Sequence, residues 1–126
     1  MVRYAYNQQV SPPAPFVHVT VRPPYEGPIG IVIPAQIDTA ADLSVIPGRF
    51  IEELQLLPLD SVSAVGFGDH LVTLPTYLVE IQVREQEAVT VKVLASRDEP
   101  FALLGRDVLN RFTVLLDGPN QILEVR

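Results

Sequence analysis

Asp38 closes an apolar run, Gly30 to Ile37, and opens the segment Asp38-Thr39-Ala40-Ala41-Asp42-Leu43-Ser44-Val45-Ile46. An ionised, unpaired carboxylate at the end of a buried strand costs several kcal/mol. Asp38 is therefore either partnered or shifted in its proton affinity, and both conditions suit a group that exchanges protons with a substrate. A second acid, Asp42, follows before the chain turns apolar again at Val45-Ile46. Much later, Phe101-Ala102-Leu103-Leu104-Gly105-Arg106-Asp107 sets a glycine, a guanidinium and a carboxylate directly behind another apolar stretch.

These two segments, in this order and spacing, resemble the retropepsin-like aspartic proteases. Asp38-Thr39-Ala40 matches the family's acid-hydroxyl-glycine loop, with Asp42 its retroviral variant, and Leu103-Leu104-Gly105-Arg106-Asp107 matches its apolar-apolar-Gly-Arg-acid turn. The resemblance spans roughly Phe16 to Val125 and implies a small closed, barrel-like, all-β acid-protease fold with two short helices. It implies Asp38 as the catalytic carboxylate and Thr39 as the supporting hydroxyl. Asp42 and Arg106 become a structural salt bridge, for which the planar guanidinium is suited. Gly66, Phe67 and Gly68 become the tip of a flap that closes over substrate, and Phe101 and Leu103 become pocket-lining residues. Ala40 departs from the family's glycine: its backbone N–H can still reach the Asp38 carboxylate, but a methyl group is added where substrate backbone should lie.

Aspartic-protease chemistry needs two carboxylates, and the chain carries one such loop without an internal repeat. The resemblance therefore implies a homodimer in which Asp38 from each chain meets at a two-fold axis. Two carboxylates about 3 Å apart share one proton, one acting as base on a water and the other donating to the scissile carbonyl. The reading is an endopeptidase acting on peptide or protein substrates. Its alternative is a catalytically weak or inactive homodimer that keeps the groove as a peptide-binding module, and a purely structural dimerisation domain is a third.

Composition narrows the remaining classes. At 126 residues the chain reads as a single domain, 1–126, large enough for a core without staples. Absence of cysteine excludes disulfides, thiolate metal sites and cysteine nucleophiles. With a net charge of −6 and Lys92 the only lysine, no basic run suits nucleic acid. His18 and His70 are too separated for a metal site, and no cofactor motif is present. No apolar run approaches the ~18 residues of a membrane span, and the polar start lacks a signal core, so a cytoplasmic setting is the expectation.

The elements that must position these residues follow from local pattern. Residues 1–15, with Pro12, Pro13 and Pro15, read as an extended arm, loose over Met1 to Val10. Phe16 to Arg22 alternates as a strand with Val17, Val19 and Val21 inward. Gly30 to Ile37 is a strand whose Pro34 requires an edge or a bulge. Pro47 to Leu54 is a short helix with Phe50, Ile51 and Leu54 on one face. Ser61–Phe67 and Leu71–Leu74 flank the glycine hairpin, Tyr77–Val83 is a separate half-buried strand, and Val89–Val93 pairs with it. Arg106–Arg111 is a helix with Asp107 and Arg111 complementing its dipole. Phe112–Leu116 and Gln121–Val125 form a terminal hairpin around Asp117-Gly118-Pro119-Asn120.

Overall fold

The computed structural model describes residues 1–25, 29–65, 68–97 and 99–126. In chain order the elements are β1 (Val2–Ala5), β2 (Phe16–Arg22), β3 (Ile31–Ile37), β4 (Val45–Pro47), α1 (Gly48–Glu53), β5 (Asp60–Val65), β6 (Leu71–Val83), β7 (Val89–Ser96), β8 (Ala102–Leu104), α2 (Arg106–Leu109), β9 (Val114–Asp117) and β10 (Ile122–Val125). β2 lies beside β3 on one side and β6 on the other, so β2, β3, β8, β4, β7 and β6 close on themselves, and β5 is attached to β6 alone. A second sheet has the order β1-β10-β9.

Period-two alternation fills the barrel. Val17, Val19 and Val21 of β2, Ile33 and Ala35 of β3, and Val79, Ile81 and Val83 of β6 are buried together with Val93 and Leu104. β-branched residues suit these strands because their stiff side chains pack on a pleated surface. Helix α1 plugs one side with Ile51 and Leu54, while Phe50 is half-buried. Helix α2 contributes Val108 and Leu109.

Two prolines locate where strands change neighbours. Pro34 pairs opposite His18 of β2, but β8 reaches only Ala35 to Ile37. It thus occupies a stretch of β3 with a neighbour on one side, and its missing N–H leaves no ladder bond unmade. Pro75 pairs opposite Ser61, and β7 begins to pair with β6 only at Thr76. For that reason Leu71–Leu74 and Tyr77–Val83, expected as two strands, run as one 13-residue strand through the proline. The strand exchanges β5 for β7 at this point, so Pro75 interrupts nothing.

The N-terminal arm differs from the loose segment expected of Met1 to Val10. β1 pairs antiparallel with β10, Val2 opposite Val125 and Tyr4 opposite Leu123. The Tyr6 N–H donates to the Gln121 carbonyl at 2.8 Å, and Asn7 bridges Ala14. The cause is apolar: Val2 is 9% exposed and joins Leu123 and Val125 in the main core. The polar composition of the arm conceals this buried valine and the tyrosines Tyr4 and Tyr6, which pack against the same core. Helix α2 is also shorter than expected, ending at Leu109, so Arg111 lies outside it and does not serve its dipole. The turn expected at Asp117–Asn120 does form, with Asn120 donating backbone and side-chain N–H to the Asp117 carboxylate at 3.1 and 2.9 Å.

A docked β1 makes Val2→Asp costly. A carboxylate placed at this buried position should lower stability by roughly 2–4 kcal/mol. Arg3→Asp, next to it on the exposed face, should change stability by less than about 1 kcal/mol. Chemical denaturation of both variants checks this, and equal, small effects would return the arm to a loose segment.

Candidate active site

The barrel ends Asp38 and Arg106 side by side because β3 and β8 run parallel and stop together. Ile37 pairs with Leu104, and the Asp38 N–H donates to the Leu104 carbonyl at 3.0 Å. From there the chain turns tightly, with the Ala41 N–H donating to the Asp38 carbonyl at 3.2 Å. The turn aims the Ala40 N–H at the Asp38 carboxylate, 3.1 Å from Oδ1. Replacement of glycine by Ala40 therefore leaves this backbone contact in place. Asp38 is half-buried, and among the described residues no cation is paired with it.

Arg106 stitches the turn from the other side. Its backbone N–H donates to the Ala41 carbonyl at 2.9 Å, Nη1 donates to the Thr39 carbonyl at 2.7 Å, and Nη2 pairs with the Asp42 carboxylate. The expected Asp42–Arg106 ion pair is thus formed within one chain. It is a surface pair, with side chains 84% and 43% exposed, so its worth as an ion pair is small. The contact to the Thr39 carbonyl gives Arg106 a second task, that of holding the loop backbone.

Ser44, not singled out from the sequence, and Asp107, read there only as the acid of the Gly-Arg turn and for the helix dipole, carry the junction. Ser44, fully buried, accepts the Gly105 N–H at 2.9 Å and donates its hydroxyl to Asp107 Oδ1 at 2.8 Å, while its own N–H donates to Asp107 Oδ2 at 2.9 Å. Asp107 Oδ1 also takes the N–H of Val108 at 2.9 Å. The Ser44 carbonyl accepts the Leu94 N–H at 3.0 Å, fixing the junction to β7. The available signal was a serine flanked by Leu43 and Val45: a hydroxyl in a run destined for the interior must find partners. Gly105 is required here by close approach. A Cβ at this position would meet the Ala41 oxygen at 2.9 Å, and the Leu43 carbonyl carbon and oxygen at 2.9 and 3.0 Å.

In front of the loop lies a cavity of about 660 Å³, lined on one side by Ala40, Ala41, Asp42, Leu43 and Val45 with Leu94, and on the other by Val62 to Val65 of β5. The walls are apolar except for Asp42 and Ser63. Phe101 and Leu103, expected as pocket residues, are not brought to this cavity. Phe101 packs edge-on against Phe16 with ring centroids 4.8 Å apart, and Leu103 pairs across to Val45. Thr39 is exposed at the turn. Gly68 adopts a left-handed backbone between β5 and β6, with φ of 86°. Gly66 and Phe67, the rest of the expected flap tip, lie outside the described residues. Among the described residues no group of histidine and acidic side chains is arranged to hold a metal ion, and no helix is long and apolar enough to cross a membrane.

No family model matches the sequence, and no curated protein matches it. Solved structures do. A retropepsin-like aspartic protease from Rickettsia conorii superposes with a TM-score of 0.64 over 98% of this chain and 88% of its own, at 15% identity. The EIAV protease in an inhibitor complex gives 0.62 over 86% of this chain and 93% of its own, at 22% identity. A foamy viral protease–reverse transcriptase bound to double-stranded DNA gives 0.54 over 79% of this chain but only 16% of its own, at 16% identity. The chain therefore has the all-β retropepsin fold, with two short helices.

The geometry ranks two substitutions. Ser44→Ala leaves the buried Gly105 N–H without an acceptor and removes a partner from Asp107, and should cost about 1–3 kcal/mol. Arg106→Ala breaks an exposed ion pair and should cost only about 1 kcal/mol or less from that pair. Urea unfolding of the two variants should give this order, and the reverse order would show the guanidinium, not the buried hydroxyl, to be the main fastener.

Proposed function

We propose that the protein is an aspartic endopeptidase that works as a homodimer, with one Asp38 from each subunit. The observation that carries this reading is the geometry of Asp38. It is a half-buried carboxylate without a cationic partner among the described residues, held by the N–H of Ala40, which itself lines a cavity of about 660 Å³. One chain supplies half of the chemistry. A second copy related by a two-fold axis supplies the other carboxylate, so that the pair holds a single proton. The ionised member takes a proton from a water, and that water attacks the scissile carbonyl. The protonated member donates to the carbonyl oxygen as the tetrahedral intermediate forms. In this reading the hydroxyl of Thr39, exposed beside Asp38, hydrogen-bonds across the axis and keeps the two loops in register.

The free edge of the β1-β10-β9 sheet supports the assembly. β9 has a neighbour on one side only, and Leu115 and Leu116 are nearly half exposed on it. An open strand with exposed leucines favours pairing with another chain. β5 walls the cavity from the far side, and in this reading the described part of the β5–β6 arm is the wall that closes on substrate and excludes water.

Ala40 favours a second reading, a groove that binds peptide without turnover, because it lines the cavity and adds a methyl group to it. The two readings separate by experiment. Digestion of a peptide library by the wild type should give defined cuts, with a rate that depends on protein concentration through dimerisation and is bell-shaped in pH. Only the singly protonated pair has both a base and an acid, so cleavage should fall on the acid side and on the basic side alike. Asp38→Asn removes both carboxylates of the dimer and should abolish cleavage with the fold intact. Binding without cleavage by the wild type would establish the peptide-binding module instead.

Ala40→Gly should raise turnover or widen the range of peptides cut if the methyl group crowds the substrate backbone. The same change should cost roughly 0.5–1 kcal/mol of stability through added loop entropy. Paired kinetics and thermal unfolding check both parts, and identical kinetics on every peptide would show that the methyl does not touch substrate.

A further inference from the structure

The wall of the cavity opposite the acid loop is an arm with a single attachment. β5 pairs with β6 alone, and the first five residues of β6, Leu71 to Pro75, pair with β5 alone. β7 joins at Thr76, and β2 joins further along at Glu80. The described residues from Asp60 to Pro75 thus lie outside the closed ring of strands, and the line from Asp60 to Thr76 is their root. An arm rooted on one strand pair is free to tilt about that line unless something ties β5 back to the barrel.

Such a tie is present. Lys92 Nζ, on β7, lies 2.7 Å from Asp60 Oδ2, so this ion pair spans β6 to connect β7 with the first residue of β5. Beneath it, Thr76 is fully buried, its hydroxyl bonded to the Asp60 carboxylate and 3.3 Å from the Asp60 carbonyl. The Thr76 carbonyl accepts the Leu59 N–H at 2.8 Å, holding the residue that leads into the arm. Asp60 is therefore gripped from β6, its neighbour, and from β7 beyond it, at the point where the arm leaves the barrel. Lys92 is the only lysine of the chain, so the tie has no second ammonium nearby to replace it.

The geometry points to the Asp60–Lys92 pair, seated on the Thr76 hydroxyl, as a latch that sets the tilt of the β5–β6 arm over the cavity. Lys92 is then a positioning residue: it touches no substrate and acts through β5, whose Val62 to Val65 face the acid loop. Hydrogen bonds from Lys92 and Thr76 hold the Asp60 carboxyl below its ordinary range, as a carboxylate gripped in its charged form should be. The consequence for catalysis rests on the protease reading above. A loosened arm captures peptide less well but leaves the acid loop intact, so the effect falls on KM rather than kcat.

Amide hydrogen exchange on the whole protein tests the latch without reference to activity. In Lys92→Met and Asp60→Asn, amides between Ser61 and Pro75 should exchange roughly threefold to fivefold faster than in the wild type, the scale of a surface ion pair. Amides of β2 and of Val79 to Val83 should be unchanged, which also reports that the variants are folded. Lys92→Arg should restore wild-type exchange. Where peptide cleavage is measurable, KM should rise about threefold or more with kcat within about twofold, in line with the same loss. Unchanged exchange between Ser61 and Pro75 in both single variants would overturn the latch, whatever the kinetics. A wild type that cleaves no peptide would overturn the protease reading, and the exchange data would still decide the latch.

Discussion

The buried hydroxyl of Ser44 is the contact on which the site depends. It accepts the Gly105 N–H and donates to Asp107, so one oxygen fastens the strand that follows the acid loop to the turn that carries Arg106. A hydroxyl in that position must be satisfied on both sides or it costs more than it contributes. Gly105 has to be a glycine because the loop backbone passes within 3.0 Å of where a side chain would begin. With the two segments so close, the Arg106 guanidinium reaches the Thr39 carbonyl and Asp42 together, and the turn that presents Asp38 has its shape set from behind. The ion pair on the surface completes this arrangement without being its foundation.

A barrel closed through β2 and β6 gives β3 a neighbour on each side where Asp38 leaves it, and leaves the described part of the β5–β6 arm paired along one line only. The same strand, β6, serves both purposes by changing partners along its length. Pro34 and Pro75 stand in the stretches with only one neighbour, so each tolerates the loss of a donor. The division suits a site that needs a fixed carboxylate and a movable wall. Rigid strands fix groups more closely than loops do.

Much of this was legible in the residues because local pattern and tertiary role agree. The bounds of β2 follow from strict alternation, and α1 follows from a proline, a glycine and an apolar face. Asp42 and Arg106 were paired through the motifs in which they sit. What escaped did so for physical reasons. β1 is held by Val2 and Tyr4 in an otherwise polar arm, and its partner strand lies at the opposite end of the chain, beyond the reach of any window. Ser44 carries no pattern of its own, and Asp107 shows only as the acid of the Gly-Arg turn; the need for a partner at Ser44 is visible, but not which acid answers it. Phe101 lies next to the Gly-Arg turn in sequence, yet the strand alternation that carries Leu104 into the core turns Phe101 toward Phe16 instead of the cavity.

The central claim is that two chains make one catalytic site. The most direct measurement is the stoichiometry with which a hydroxyl-bearing, transition-state-like peptide analogue titrates the protein, read by calorimetry at a concentration where the dimer is populated. A shared site predicts one analogue bound for every two chains, with binding lost in Asp38→Asn. Saturation at one analogue per chain, or full binding by a species that sedimentation shows to be monomeric, would contradict it.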